Sequence, residues 1–130
     1  MRYLFDSSSI YSIVGASRAE RLVQNYTCDL ARYELGNILI TERNARKTIT
    51  ETEQKYLLDK ISSALNLILI LDVKGYEQEV INIATTYNLS FYDASYAYLA
   101  KKIKAILVTE DDKLSKKVKE YVDTIKAEDL

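Results

Sequence analysis

Four acidic residues in this chain stand where chemistry could be done. Asp6 ends the apolar run Tyr3-Leu4-Phe5 and is followed by Ser7, Ser8 and Ser9. A strand buried on both faces reads as a continuous apolar run, and an acid just past its C-terminal end lies where open α/β sheets bind ligands. The same position suits a helix N-cap, with the serines able to share the job. Residue type alone leaves both readings open. Glu34 borders, without opposing, the apolar stripe Ala31, Leu35, Ile38 and Leu39, and Asn37 shares its face one turn on. A carboxylate beside a buried face needs a partner or a ligand; a salt bridge to Arg32 is the plain alternative.

Asp93 sits in Ser90-Phe91-Tyr92-Asp93, a Ser-x-x-Asp pattern that resembles a capping box. The next residues on its face, Ala97 and Ala100, are small and leave space around the carboxylate. Asp111 and Asp112 follow the run Ala105-Ile106-Leu107-Val108. Thr109 and Asp112 form a second capping pattern, which leaves Asp111 the freer acid. Asp72 follows another apolar run and reads mainly as a residue at a helix start, before Gly75. Acids clustered at one end of a parallel sheet repel one another unless protons or a cation neutralise them. The chain has no His, so imidazole is excluded as a general base and as a zinc or iron ligand. Oxygen donors suit Mg²⁺ or Mn²⁺, ions able to activate water and to stabilise charge on a phosphodiester.

The elements that must position these acids alternate. Strands are expected at Arg2 to Phe5, Thr27 to Cys28, Leu67 to Leu71, Ala105 to Val108 and Thr124 to Lys126. The helices expected between them are Ser7 to Val14, Arg18 to Tyr26, Leu30 to Arg43 capped by Asp29, Thr50 to about Asn66, Gly75 to about Tyr87, Ser90 to about Lys104, and Thr109 to about Val122. Alternation of this kind predicts a parallel sheet with helices on both faces.

With 130 residues and no linker or repeat, a single domain over 1–130 with a real core is expected. No run approaches the roughly 18 apolar residues of a membrane span. The strand starting at Arg2 leaves no room for a signal peptide. Cys28 is the only Cys, so no intrachain disulfide forms and a cytoplasmic location fits.

The order Asp6, Glu34, Asp93, Asp111 resembles the PIN-domain family of metal-dependent ribonucleases. The matching stretches are Tyr-Leu-Phe-Asp6-Ser-Ser, Tyr-Glu34-Leu-Gly-Asn37-Ile, Leu-Ser-Phe-Tyr-Asp93-Ala-Ser-Tyr-Ala-Tyr-Leu-Ala and Leu-Val-Thr109-Glu-Asp111-Asp112-Lys-Leu114. Their spread covers nearly the whole chain, and the short length looks like the VapC toxins of prokaryotic toxin–antitoxin pairs. The resemblance implies a three-layer α/β/α sandwich. It implies Mg²⁺ or Mn²⁺ held by Asp6, Glu34, Asp93 and Asp111, with Ser8, Asn37, Thr109 and Asp112 in supporting places. It further implies cleavage of RNA, a homodimer and a cognate VapB-type antitoxin that blocks the site. Under it, Asp6 reads as the centre of a metal site rather than as a cap.

Net charge is −1, so overall charge does not advertise nucleic-acid binding. Seven Lys between Lys101 and Lys119 and five Arg between Arg18 and Arg46 still allow a basic rim around the acids. Most are expected only to solvate the surface, with two or three touching RNA. The eleven Tyr include candidates for base stacking, although most are explained as core or interface.

Two other classes of function compete. A PIN fold acting as a non-catalytic RNA-binding or assembly subunit would bind no divalent metal. A phosphotransfer domain would want a second acid after Asp6; Ser7 and Ser8 stand there. The place two residues on, where a haloacid-dehalogenase-type phosphatase has Asp, holds Ser8.

Overall fold

The computed structural model describes residues 1–130. Its centre is a five-stranded, wholly parallel sheet in the order β3-β2-β1-β4-β5. The strands are β1 (Tyr3–Phe5), β2 (Tyr26–Cys28), β3 (Leu69–Leu71), β4 (Ile106–Val108) and β5 (Thr124–Ile125). Helices α1 (Ser7–Gly15), α2 (Leu30–Ile40) and α3 (Glu51–Leu67) pack on one another along one face. Helices α4 (Glu77–Tyr87) and α5 (Phe91–Lys102) cover the other, α5 lying across β1, β2 and β4. Helix α6 (Asp112–Val118) joins β4 to β5. This is the three-layer α/β/α sandwich expected from the alternation.

The chain steps from β1 outward to β2 and β3, then crosses back to β4 and β5. Parallel crossovers are right-handed, so the reversal sends the later helices to the opposite face. It also leaves a switch point between β1 and β4, the place where open α/β sheets leave a crevice at the strand C-termini. Leu4, Phe5, Leu107 and Val108 of these two strands are completely buried. The Ser9 hydroxyl donates to Val108 O (2.7 Å), and the Asp6 N–H donates to the same carbonyl (3.1 Å). These bonds tie the start of α1 to the end of β4.

Several boundaries depart from the sequence reading. The helix expected over Arg18 to Tyr26 is only a short 3₁₀ turn, Ala19–Leu22. Ser17 and Gln24 have positive φ, which a helix does not admit. The Asn25 side chain accepts from the Tyr3 N–H, and Tyr26 joins β2. Asp29 does not cap α2: its backbone is itself helical and its side chain makes no capping bond. Its N–H is drawn instead to Leu71 O of the neighbouring strand (2.7 Å). Helix α2 ends in a π turn, Thr41–Ala45, stopped by Lys47 at φ 55°. Lys104, also at positive φ, ends α5 early, and Leu67 closes α3 rather than opening β3. The apolar run of β3 lies at the sheet edge, with Leu69 50% and Ile70 38% exposed. Thr50 and Glu53 form a full reciprocal capping box at the start of α3.

Candidate active site

Asp6 and Asp111 enter the site from the two strands that flank the switch point. Asp6 follows β1, is 5% exposed, and does cap α1: its Oδ1 accepts from the Ser9 N–H (2.9 Å). The cap that the family resemblance set aside is therefore present, made through Oδ1. The Ser8 hydroxyl donates to the same Oδ1 (2.7 Å) and accepts from the Glu110 N–H (3.1 Å). Both bonds to Asp6 fall on one oxygen, which leaves Oδ2 for a ligand. Burial pushes the Asp6 carboxyl above its usual range, while the neighbouring Thr109, Ser9 and Ser8 groups pull against it.

After β4 three consecutive acids are sorted to three fates. Glu110 turns away and accepts from the Ala127 N–H. Asp112 pairs with Lys126 (3.1 Å) on the surface. Asp111 is the N-cap of α6, its Oδ1 accepting from the Lys113 and Leu114 N–H groups. The expected assignment of the cap to Asp112 is thus reversed. The reason is register: Asp111 holds the extended backbone of an N-cap (φ −85°, ψ 102°), whereas Asp112 is already the first helical residue. Thr109, 1% exposed, accepts from the Asp111 N–H through its hydroxyl (3.1 Å) and lies 3.5 Å from the Ser8 hydroxyl. One hydrogen-bonded line thus runs from Asp6 through Ser8 and Thr109 to the backbone of Asp111.

Glu34 and Asp93 come from the helical layers on opposite faces. Glu34 of α2 makes no salt bridge to Arg32 or any other cation. Its Oε1 accepts from the Tyr96 hydroxyl (2.6 Å) and from the Ser7 hydroxyl (3.1 Å). Sequence reasoning missed both partners. Tyr96 is 1% exposed; only the packing of α5 across the strand ends aims its hydroxyl at α2. Burial and then Glu34 hold that hydroxyl in its protonated, donating form. Asn37 is exposed one turn beyond Glu34. Ser90 caps α5 through the Asp93 N–H (3.1 Å). Asp93 feels all the others: burial, then the charges of Asp111, Glu34 and Asp6, push its carboxyl up to about 6, against a small opposing pull from Lys117. Asp72, the acid set aside, accepts from the Lys74 N–H in the turn after β3.

The charges of Asp111, Glu34 and Asp6 all act on Asp93, and none of the four carboxylates forms an ion pair with a protein cation. The chain's three ion pairs, Arg43–Glu51, Arg46–Glu42 and Lys126–Asp112, involve none of them. No three of the acids are drawn in to a common coordination point. Asp6, Glu34 and Asp111 repeat one design, in which the protein's donors occupy a single carboxylate oxygen. A hard divalent cation fits this donor set: oxygen only, anionic, oriented and uncompensated.

Comparison with known proteins agrees with this fold. The sequence profile of the PIN domain matches residues 3–120. Two relatives from Pyrobaculum aerophilum are similar over most of their length. Exonuclease VapC9 is 30% identical over 127 residues, covering 95% of this chain and 90% of its own. Ribonuclease VapC3 is 27% identical over 125 residues, covering 90% and 95%. The crystal structure of PAE2754 from the same organism superimposes with a TM-score of 0.82 at 29% identity, over 99% of this chain and 94% of that one. VapBC2 from Rickettsia felis, bound to a DNA fragment of its promoter, shares the fold with a TM-score of 0.65 at 15% identity, over 97% and 98%.

Proposed function

This chain belongs to the PIN-domain family, and from that premise we propose that it is an Mg²⁺- or Mn²⁺-dependent endoribonuclease, the toxin of a toxin–antitoxin pair. One observation carries the reading. Asp6, Glu34 and Asp111 each accept the protein's hydrogen bonds on one carboxylate oxygen, and the charges of all three act on Asp93. Such an arrangement suits cation binding better than capping or ion pairing. The names of the relatives, an exonuclease and a ribonuclease, support nuclease chemistry.

Asp6, Glu34, Asp93 and Asp111 would hold the cation, which when bound supplies an activated water and charge stabilisation at the phosphodiester. The remaining work belongs to the chain. Ser8 and the Ser9 N–H orient Asp6; Ser7 and Tyr96 orient Glu34; the α6 backbone orients Asp111. Asp93, whose carboxyl is pushed up by burial and by the charges of the other three acids, is the ligand that a cation would relieve most.

Partners belong to the same proposal. An antitoxin that covers the acids would silence the protein, and the VapBC2 assembly supports a partner of this kind. A homodimer is proposed with it.

The test uses a covalently circular single-stranded RNA, which only an internal cut can open. With Mn²⁺ or Mg²⁺ the circle is expected to linearise. Chelator, or Asp6→Asn, should reduce the rate at least about a hundredfold, the scale of losing an oriented catalytic group. A circle that stays intact while linear RNA is shortened would replace the endonuclease with an exonuclease. Cutting that persists in chelator would remove the metal from the proposal. No cleavage of any RNA, with no divalent binding by titration, would favour the non-catalytic subunit.

A further inference from the structure

We propose that Tyr33 and Tyr92 form a stacking subsite for an unpaired nucleobase beside the carboxylates. The inference rests on RNA as the substrate and deepens that reading. Each ring immediately precedes a site acid in the chain: Tyr33 before Glu34 on α2, Tyr92 before Asp93 on α5. The two helices lie on opposite faces of the sheet. Both rings line a groove of about 570 Å³ together with Leu30, Ile38, Ser7 and Glu34. Both also line a smaller cavity of about 250 Å³ on the β3 side. They form the partition between the two.

These rings are unusual among the tyrosines of the chain. Tyr33 is 70% and Tyr92 58% exposed. Other rings pair with one another, as Tyr76 with Tyr98 and Tyr87 with Tyr121, or sit under a Lys, as Tyr56 does under Lys60. Tyr33 and Tyr92 have no such partner within the chain. Exposing two large planar surfaces is costly unless something covers them.

The character of the groove selects its occupant. Its only charged lining residue is Glu34, at the end nearest the acids. A phosphate would be repelled there and finds no cation. A neutral, flat, partly apolar base meets two aromatic faces and the side chains of Leu30 and Ile38. A strand whose phosphodiester lies at the acids carries its adjoining base to this groove without a break in the path, because Glu34 lines both.

The experiment combines cleavage with a binding signal. For Tyr33→Ala and Tyr92→Ala the KM for single-stranded RNA should rise about tenfold, within the range of losing one base–aromatic stack, with the loss falling on KM rather than kcat. Phe at either position, which keeps the ring, should restore KM. Tyr56→Ala, at an exposed ring that lines neither cavity, is the control. An RNA made abasic at one nucleotide flanking the cut should bind wild type about as weakly as ordinary RNA binds the Ala variants.

Independently of cleavage, RNA carrying 2-aminopurine at that position should be quenched on binding by wild type and not by the Ala variants. Quenching and KM that are unchanged in both Ala variants would overturn the subsite. If those variants then lost only their grip on a protein inhibitor, the groove would belong to a protein partner instead. RNA that is bound and quenched but never cut would leave the subsite standing and remove the nuclease. RNA that is not bound at all would remove both.

Discussion

At the scale of single residues, the uncompensated charge around Asp93 has a measurable cost. Burial and the three neighbouring acids raise its carboxyl from 3.8 to about 6. A raised acid contributes stability that is fully present below its unfolded value and lost as the pH rises through its folded value. The metal-free protein should therefore lose stability between about pH 4 and pH 7 partly through this group. Asp93→Asn removes that dependence. Its thermal midpoint should exceed that of wild type by a few degrees at pH 7.5, on the order of 1 kcal/mol for a partly solvated group, and should match it at pH 3.5. Parallel melting curves across this range would show that neither burial nor the other acids raise the Asp93 carboxyl. Added Mn²⁺ should erase the advantage, because a cation neutralises what the mutation deletes.

At the scale of elements, helix starts are built from the same side chains as the site. Asp6 caps α1 and Asp111 caps α6, each through its Oδ1. A cap needs one accepting oxygen, so the second oxygen of a carboxylate is free for other work, which a Ser or Thr cap would not allow. The two roles separate by substitution. Asp111→Asn keeps a good cap and loses the charge, whereas Asp111→Ala loses both. Both should lose RNA cleavage to a similar degree. In urea unfolding the Ala variant should be less stable than the Asn variant by about 1 kcal/mol. Both remove the same repulsion, so the difference isolates the cap. Equal stabilities would mean that α6 does not depend on Asp111 to start.

At the scale of the whole molecule, the basic residues divide between two ends. Lys101, Lys104 and Lys119 line a cavity with Ala105 and Ile106, at the N-terminal end of β4 and away from the acids. Nearer the acids, Lys117 acts on Asp93, Lys113 lies in the first turn of α6, and Arg46 lines a groove with Ser8 and Asn37. The basic rim expected from sequence is therefore partial, and phosphate contacts should number about three. For single-stranded RNA that corresponds to a slope of about 2 in log KM against log salt. Replacing Lys113 and Lys117 by Gln should flatten this slope; the same change at Lys101 and Lys104 should leave it alone. The opposite pattern would move the RNA path to the other end of the sheet.

The sequence by itself determined the alternation of strands and helices, because a continuous apolar run bounded by polar caps has few other solutions. It also determined which acids follow β1 and β4. In a parallel sheet these open on the same side whatever the strand order. Only the tertiary structure decided that β1 and β4 are neighbours and that β3, the longest apolar run in the sequence reading, lies exposed at the edge; strand order depends on crossovers, which leave no local trace. It alone decided that Asp111 rather than Asp112 caps α6, because a cap is a matter of backbone dihedrals and two adjacent aspartates suit it equally well on paper. It alone revealed Tyr96 and Ser7 as the partners of Glu34. Those contacts join residues far apart in the chain, across two faces of one sheet, and local spacing carries no information about what lies across a sheet.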